Sequence, residues 1–348
     1  MEKAMKYIAI LSVVLSVSFC DDSSKSDSGE DILGLAYIYS AATDTVDICV
    51  KDSIMYVASL NGLQIIDATD LSNTGVIGSV PISSGIPVDV EVNDTAAYVC
   101  TGNNQLVVVD ISNKSNPEIE TTVNLTGTNS QDVEIDGNLL LVVTGGYLEI
   151  YDISSPLNPS PVDTISIDHT TRGLGLDIKN KMAYVCKFKG TLTGIDIDCI
   201  DYSDTDDISI ISHINLGEYT LADDIEFYDA ENSLAIVSEN SSIQIINGQE
   251  PAFPMLLDYW EPNGTGGSDA HVCNDEYIIF AQSYNGIRIG TFGPNGAVNE
   301  VGRISSSVNQ FANSIENVDI GEPVDVECEN NRAYIASTRK IIILEFVE

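Results

Sequence analysis

Six aspartates return at one position of a repeated segment: Asp47, Asp89, Asp132, Asp224, Asp269 and Asp325. They open the runs DICV, DVEV, DVEI, DIEF, DAHV and DVEC. A carboxylate that recurs once per repeat has two chemical uses. Gathered around an axis, six of them favour a bound cation such as Ca²⁺, which takes oxygen ligands. Two carboxylates about 8 Å apart already repel by roughly 0.5 kcal/mol in water, and more in a narrow lumen. In the other use each accepts from the unpaired backbone N–H groups of an inner strand, as a residue that serves the repeat itself would. His271 stands two residues from Asp269, and together they suggest metal-assisted hydrolysis. No nucleophile elbow, HExxH motif or phosphate loop accompanies them.

A second group of residues suggests binding. Repeat four has Gly175 where the others carry aspartate, and it gathers Arg172, Lys187 and Lys189. A basic spot on an acidic body attracts an anionic ligand; charge balance against neighbouring aspartates is the plainer use. Tyr147, Trp260 and Tyr284 fall in or beside loops expected on the same face, as a sugar- or protein-binding surface requires. Trp260 serves equally well as a cover for the core. The acidic run 196–207 lacks the glycine and terminal glutamate of a calcium loop and reads as a solvated loop.

These residues must be positioned by short strands. Residues 86–127 contain DVEV, AAYVC, QLVVVD and EIETTVNL, separated by polar turn residues, and the pattern returns at a period of about 42 residues. Third strands such as LVVVD and LQIID are nearly continuous apolar runs, which double-sided burial requires. A single sheet of this kind cannot bury both faces; a closed ring of sheets can. The expected fold is therefore all-β: a seven-bladed β-propeller of four-stranded antiparallel blades. The last repeat stops after its third strand, and residues 31–41 read as the N-terminal strand that completes it.

The third strands LVVVD, LQIID and LEIYD, with the turns DISNKSNP and DISSPLNP, resemble the LVIVD-repeat propeller proteins of bacteria and archaea. The resemblance implies an exported or surface protein and transfers no catalytic residue. Residues 1–20 join a basic start, an apolar run too short to span a membrane, and VSFC. This resembles a bacterial lipoprotein signal with Cys20 as lipid acceptor. The Asp-Asp that follows is similar to the surface-export signal of Bacteroidetes lipoproteins. Residues 21–31 read as an acidic flexible tether and 32–348 as the propeller.

The formal net charge of −38 repels nucleic acid and anionic lipid, so the membrane is expected to be met only through the lipid. Cys49, Cys100, Cys186, Cys199, Cys273 and Cys328 form no C-x-x-C pair and read as core thiols, with one disulfide open and its connectivity undetermined. The function expected is that of a non-catalytic, lipid-anchored, monomeric propeller at the outer membrane, facing outwards. It is expected to bind a protein or glycan ligand through its loop face, with no cofactor other than Ca²⁺. The alternatives are a divalent-metal hydrolase at the acidic channel mouth and a purely structural envelope protein.

Overall fold

The computed structural model describes residues 15–16, 33–39, 44–167, 171–189, 196–215, 222–229, 234–239, 242–247, 255–261, 269–274, 276–292, 297–304, 320–338 and 340–346. The regular unit is clearest in the second blade. Pro87–Val92 lines the centre, Ala96–Thr101 and Gln105–Asp110 follow outwards, and Glu118–Asn124 forms the rim. All pairings are antiparallel. The two middle strands are buried over nearly their whole length, because both faces of the sheet touch a neighbour. The rim strand is mostly exposed.

Local chemistry punctuates the unit. The aspartate closing the third strand accepts from the backbone N–H two residues on, as in Asp110 to Ser112 at 2.9 Å, Asp152 to Ser154 at 2.7 Å and Asp201 to Ser203 at 2.9 Å. These Asx turns reverse the chain before the rim strand. Two-residue turns with positive φ at both positions join the first and second strands, at Asp52–Ser53, Asn180–Lys181 and Asn330–Asn331. Each rim strand carries a register shift at one place, leaving one residue extra: Ile77, Glu120, Val162, Ile211, Leu257 and Val301 in turn. A bulge repeated on the outer edge of all six blades disfavours edge-to-edge pairing with another chain.

Among the described residues six sheets are four-stranded blades, each made of consecutive strands. The expected seven four-stranded blades are thereby corrected to six. The remaining sheet is of another make, with five strands of mixed origin: Pro323–Glu329, Arg332–Ser337, Lys340–Phe346, Leu33–Tyr39 and the short Leu15–Ser16. The physical reason is that the N-terminal segment supplies two strands where a blade takes one. Leu33–Tyr39 pairs with Lys340–Phe346, and Leu15 pairs with Leu35. The ring is closed by this sheet. Apolar layers fill every gap around it, from Ile65 against Val90 between the first two blades to Tyr334 against Ile48 where the closing sheet meets the first.

A further correction concerns residues 196–207. Asp196–Asp201 is the third strand of the fourth blade, not a solvated loop, and Asp198 is fully buried.

Candidate functional site

The first strands converge on a central cavity of about 460 Å³. Side chains two apart on a strand share a face, so DVEV places Asp89 and Glu91 one above the other in this channel. Its lining holds two layers of acid. One is Asp47, Asp89, Asp132, Asp224, Asp269 and Asp325; the other is Glu91, Glu134, Asp177, Glu226 and Glu327, with His271 among them. The second layer was legible in the sequence as a D-x-E spacing, but only the first residue of that pair was singled out there.

The repeated aspartates crowd one another in the channel. Asp47 feels the charge of Asp89, Asp89 that of Asp132, Asp224 that of Asp269, and Asp325 those of Asp47 and Asp269. All six line the one channel, and the series is interrupted where Gly175 supplies no side chain. Burial pushes Asp47, Asp89, Asp224 and Asp325 well above the usual carboxylate range, with neighbouring aspartates adding to it. Burial also raises Asp132 and Asp177 to about 7, opposed by the backbone N–H groups they accept from. Glu91 rises to about 7 for the same reason. His271 Nε2 lies 3.2 Å from Glu226 Oε1, and burial lowers this imidazole to about 4.

The same carboxylates tie each sheet to the next. Ile48 N–H donates to Asp325 at 2.7 Å, Val90 to Asp47 at 2.8 Å, Val133 to Asp89 at 2.6 Å and Leu176 to Asp132 at 2.6 Å. At the next seam Gly175 has no side chain, and Asp177, two residues on, accepts from Phe227 instead. Glu226 then accepts from Val272 at 2.9 Å, and Asp269 from Val326 at 2.9 Å. Every seam of the ring thus has a carboxylate–N–H bond. The backbone-acceptor use of the repeated aspartates is the one the geometry displays. Among the described residues no group of three or more His, Cys, Asp and Glu side chains is arranged to hold a metal ion.

The expected binding residues are not brought together as one patch. Lys187 lies on the strand Met182–Lys189 rather than in a loop, and it is buried. Its Nζ stands 2.6 Å from Asp198 Oδ2, while His213 Nδ1 is 2.5 Å from Asp198 Oδ1. Lys187 is therefore a corrected expectation: an internal ion pair, because a cation among blade-facing side chains must find an anion there. Trp260 ends the rim strand Met255–Trp260 and is buried, its ring against Gly290 and tilted on Phe280 at 6.3 Å. It covers the core. Tyr147 begins the strand Tyr147–Asp152, half-buried on the loop face. The backbones of Arg172 and Lys189 lie near one another on paired strands, and Tyr284 sits in a short turn; their side chains lie outside the described residues, as does Cys20.

Cys273 and Cys328 are joined by a disulfide with Cα atoms 5.4 Å apart, linking the first strand of the sixth blade to that of the closing sheet. Cys49, Cys100, Cys186 and Cys199 are buried and outside this disulfide. Among the described residues no helix is long and apolar enough to cross a membrane.

Three LVIVD repeats match the chain, at residues 42–81, 84–124 and 127–165, the first three blades. No curated protein matches it in sequence. Among solved structures it is similar to Chaetomium thermophilum Raptor, with a TM-score of 0.69 and 10% identity over 90% of this chain and 29% of that one. It is also similar to the β-propeller domain of Myceliophteria thermophila Cps50 (Swd1), with a TM-score of 0.67 and 10% identity over 88% of this chain and 97% of that one. At such identity the likeness concerns the fold alone. The chain is an all-β propeller that carries LVIVD repeats.

Proposed function

We propose that this propeller is a non-catalytic binding scaffold, exported and lipid-anchored through Cys20, that takes a protein or glycan ligand on the face formed by the loops entering each blade; cleavage before Cys20 would remove Leu15–Ser16 and leave the closing sheet its other four strands. One observation carries the reading: channel carboxylates at every seam are engaged by backbone N–H groups of the neighbouring sheet. Groups so engaged hold the ring together, and removing them for chemistry would loosen it. The loop face is where ligand contact is left, and Leu60 and Ile86 project there with half or more of their surface exposed.

Two measurements test this. Residues 32–348 are screened for ester, phosphate-ester and glycoside hydrolysis with and without Ca²⁺ or Zn²⁺; no turnover is expected, and turnover lost in Asp132→Asn would overturn the reading. Immobilised residues 32–348 are then probed with purified cell-surface ectodomains and defined glycans. Binding abolished by Ile86→Asp, with the melting temperature unchanged, is expected; binding indifferent to that change would overturn the face assignment. Labelling with a palmitate analogue that disappears in Cys20→Ser checks the anchor.

A further inference from the structure

The chain carries a formal net charge of −38, yet one region of its surface is built from uncharged segments with a single aspartate at its border. On the loop face of the first three blades, residues 60–62, 81–87, 101–105, 124–131 and 144–147 read LNG, PISSGIP, TGNNQ, NLTGTNSQ and TGGY. None is Asp, Glu, Lys or Arg; Asp44 lies beside them, where the chain enters the first blade. The equivalent turns on the opposite face carry Asp52, Asp67, Asp94, Asp110, Asp136 and Asp152. The two faces have the same fold and opposite chemistry.

These segments are one connected surface. Gly62 packs so closely on Pro81 and Ile82 that a Cβ there would lie 2.6 Å from Ile82 N, and Gly102 N–H donates to Ile86 O at 2.9 Å. Asn103 Nδ2 donates to Ser84 O at 3.0 Å, Gln105 Nε2 to Asn124 Oδ1 at 3.0 Å, and Gln131 Nε2 to Ser130 O at 2.8 Å. Asn129 N–H donates to Asn104 Oδ1. Gly127 packs so tightly on Thr144 that a Cβ there would lie 1.9 Å from its Oγ1. The amides are held before any ligand arrives, so little side-chain freedom is lost on binding.

We propose that this uncharged face binds a neutral oligosaccharide. Fixed amide and hydroxyl groups offer donors and acceptors together, as sugar hydroxyls need. They are released from water at less cost than charges are. Half-buried Tyr147 and exposed Ile86 supply apolar area for the C–H faces of a sugar ring. A protein partner fits the composition less well, since protein-binding centres are rich in aromatic residues, Met and Arg, and these segments contain only Tyr147 of that set. The inference rests on the loop-face reading above and names its ligand class.

The probes are dextran, mannan and β-glucan oligosaccharides, with polygalacturonate and alginate oligomers as anionic counterparts and uncharged peptides as a third set. The expected result is binding of a neutral glycan that changes less than about two-fold with added salt and weakens at least about ten-fold in Asn103→Asp with Asn129→Asp. Both side chains are exposed, and circular dichroism and melting verify the fold. No neutral glycan bound, or anionic glycans or peptides bound in preference, overturns the glycan assignment. If an ectodomain then binds in an Ile86→Asp-sensitive way, the scaffold reading survives that failure. Glycan binding untouched by the aspartate pair overturns the assignment of the ligand to this face.

Discussion

Asp177 accepts a hydrogen bond from the backbone N–H of Phe227, and so does at its seam what Asp132 does for Leu176 one seam earlier. The fourth blade has Gly175 in the repeated aspartate's place, and the acceptor has moved two residues along the same strand face. The seam bond is kept although the residue that makes it elsewhere is gone. Asp89→Ala or Asp177→Ala leaves a buried N–H without its acceptor, which costs about 1–3 kcal/mol. The Asn substitutions keep a carbonyl oxygen in place and are expected to cost less. Urea unfolding of the four variants checks the order; an Ala variant as stable as the parent at both positions would count against seam bonding.

Stability is expected to fall as pH rises. Asp132, Asp177 and Glu91 are raised to about 7 from an ordinary value near 4. Groups raised in the folded state contribute stability that is complete below the unfolded pKa and is lost as pH climbs through the folded one. His271 acts in the opposite direction: lowered to about 4, it contributes above about 6.5 and that contribution is lost as pH falls. The carboxylates outnumber it, so melting temperature at fixed ionic strength should decline from about pH 5 to pH 9. The double change Asp132→Asn with Asp177→Asn should flatten the slope.

The Cys273–Cys328 bridge crosses the seam between the sixth blade and the closing sheet. Replacing both by serine should lower stability by about 2–5 kcal/mol. Non-reducing peptide mapping should find this pair. The buried thiols Cys49, Cys100, Cys186 and Cys199 should react with a thiol reagent only after denaturation.

Lys187 and Asp198 form a pair with 4% and 0% of their side chains exposed. Asp198→Ala strands a buried cation and is expected to cost about 3–5 kcal/mol, while Lys187→Met with Asp198→Leu restores much of that loss. Trp260→Ala, emptying a buried ring site, should cost about 3–5 kcal/mol. Calorimetry reads both. Ligand binding lost in Trp260→Ala at unchanged stability would contradict its place in the core.

The sequence by itself determined the unit: alternation and turn residues set four strands, and the spacing of Asp89 and Glu91 set which side chains share the channel face. These are local properties, decided within a few residues by strand period and Asx-turn chemistry. Tertiary structure decided what those side chains meet. Ile48 and Asp325 are 277 residues apart, and only ring closure makes one the donor to the other. Closure also chose Cys273 and Cys328 from the available cysteines, turned Lys187 inwards onto Asp198, and let the N-terminus add two strands to the closing sheet in place of a seventh like blade. A repeat tells each blade what to be; which residue stands across the seam depends on the neighbouring sheet, and that contact exists only once the ring is shut.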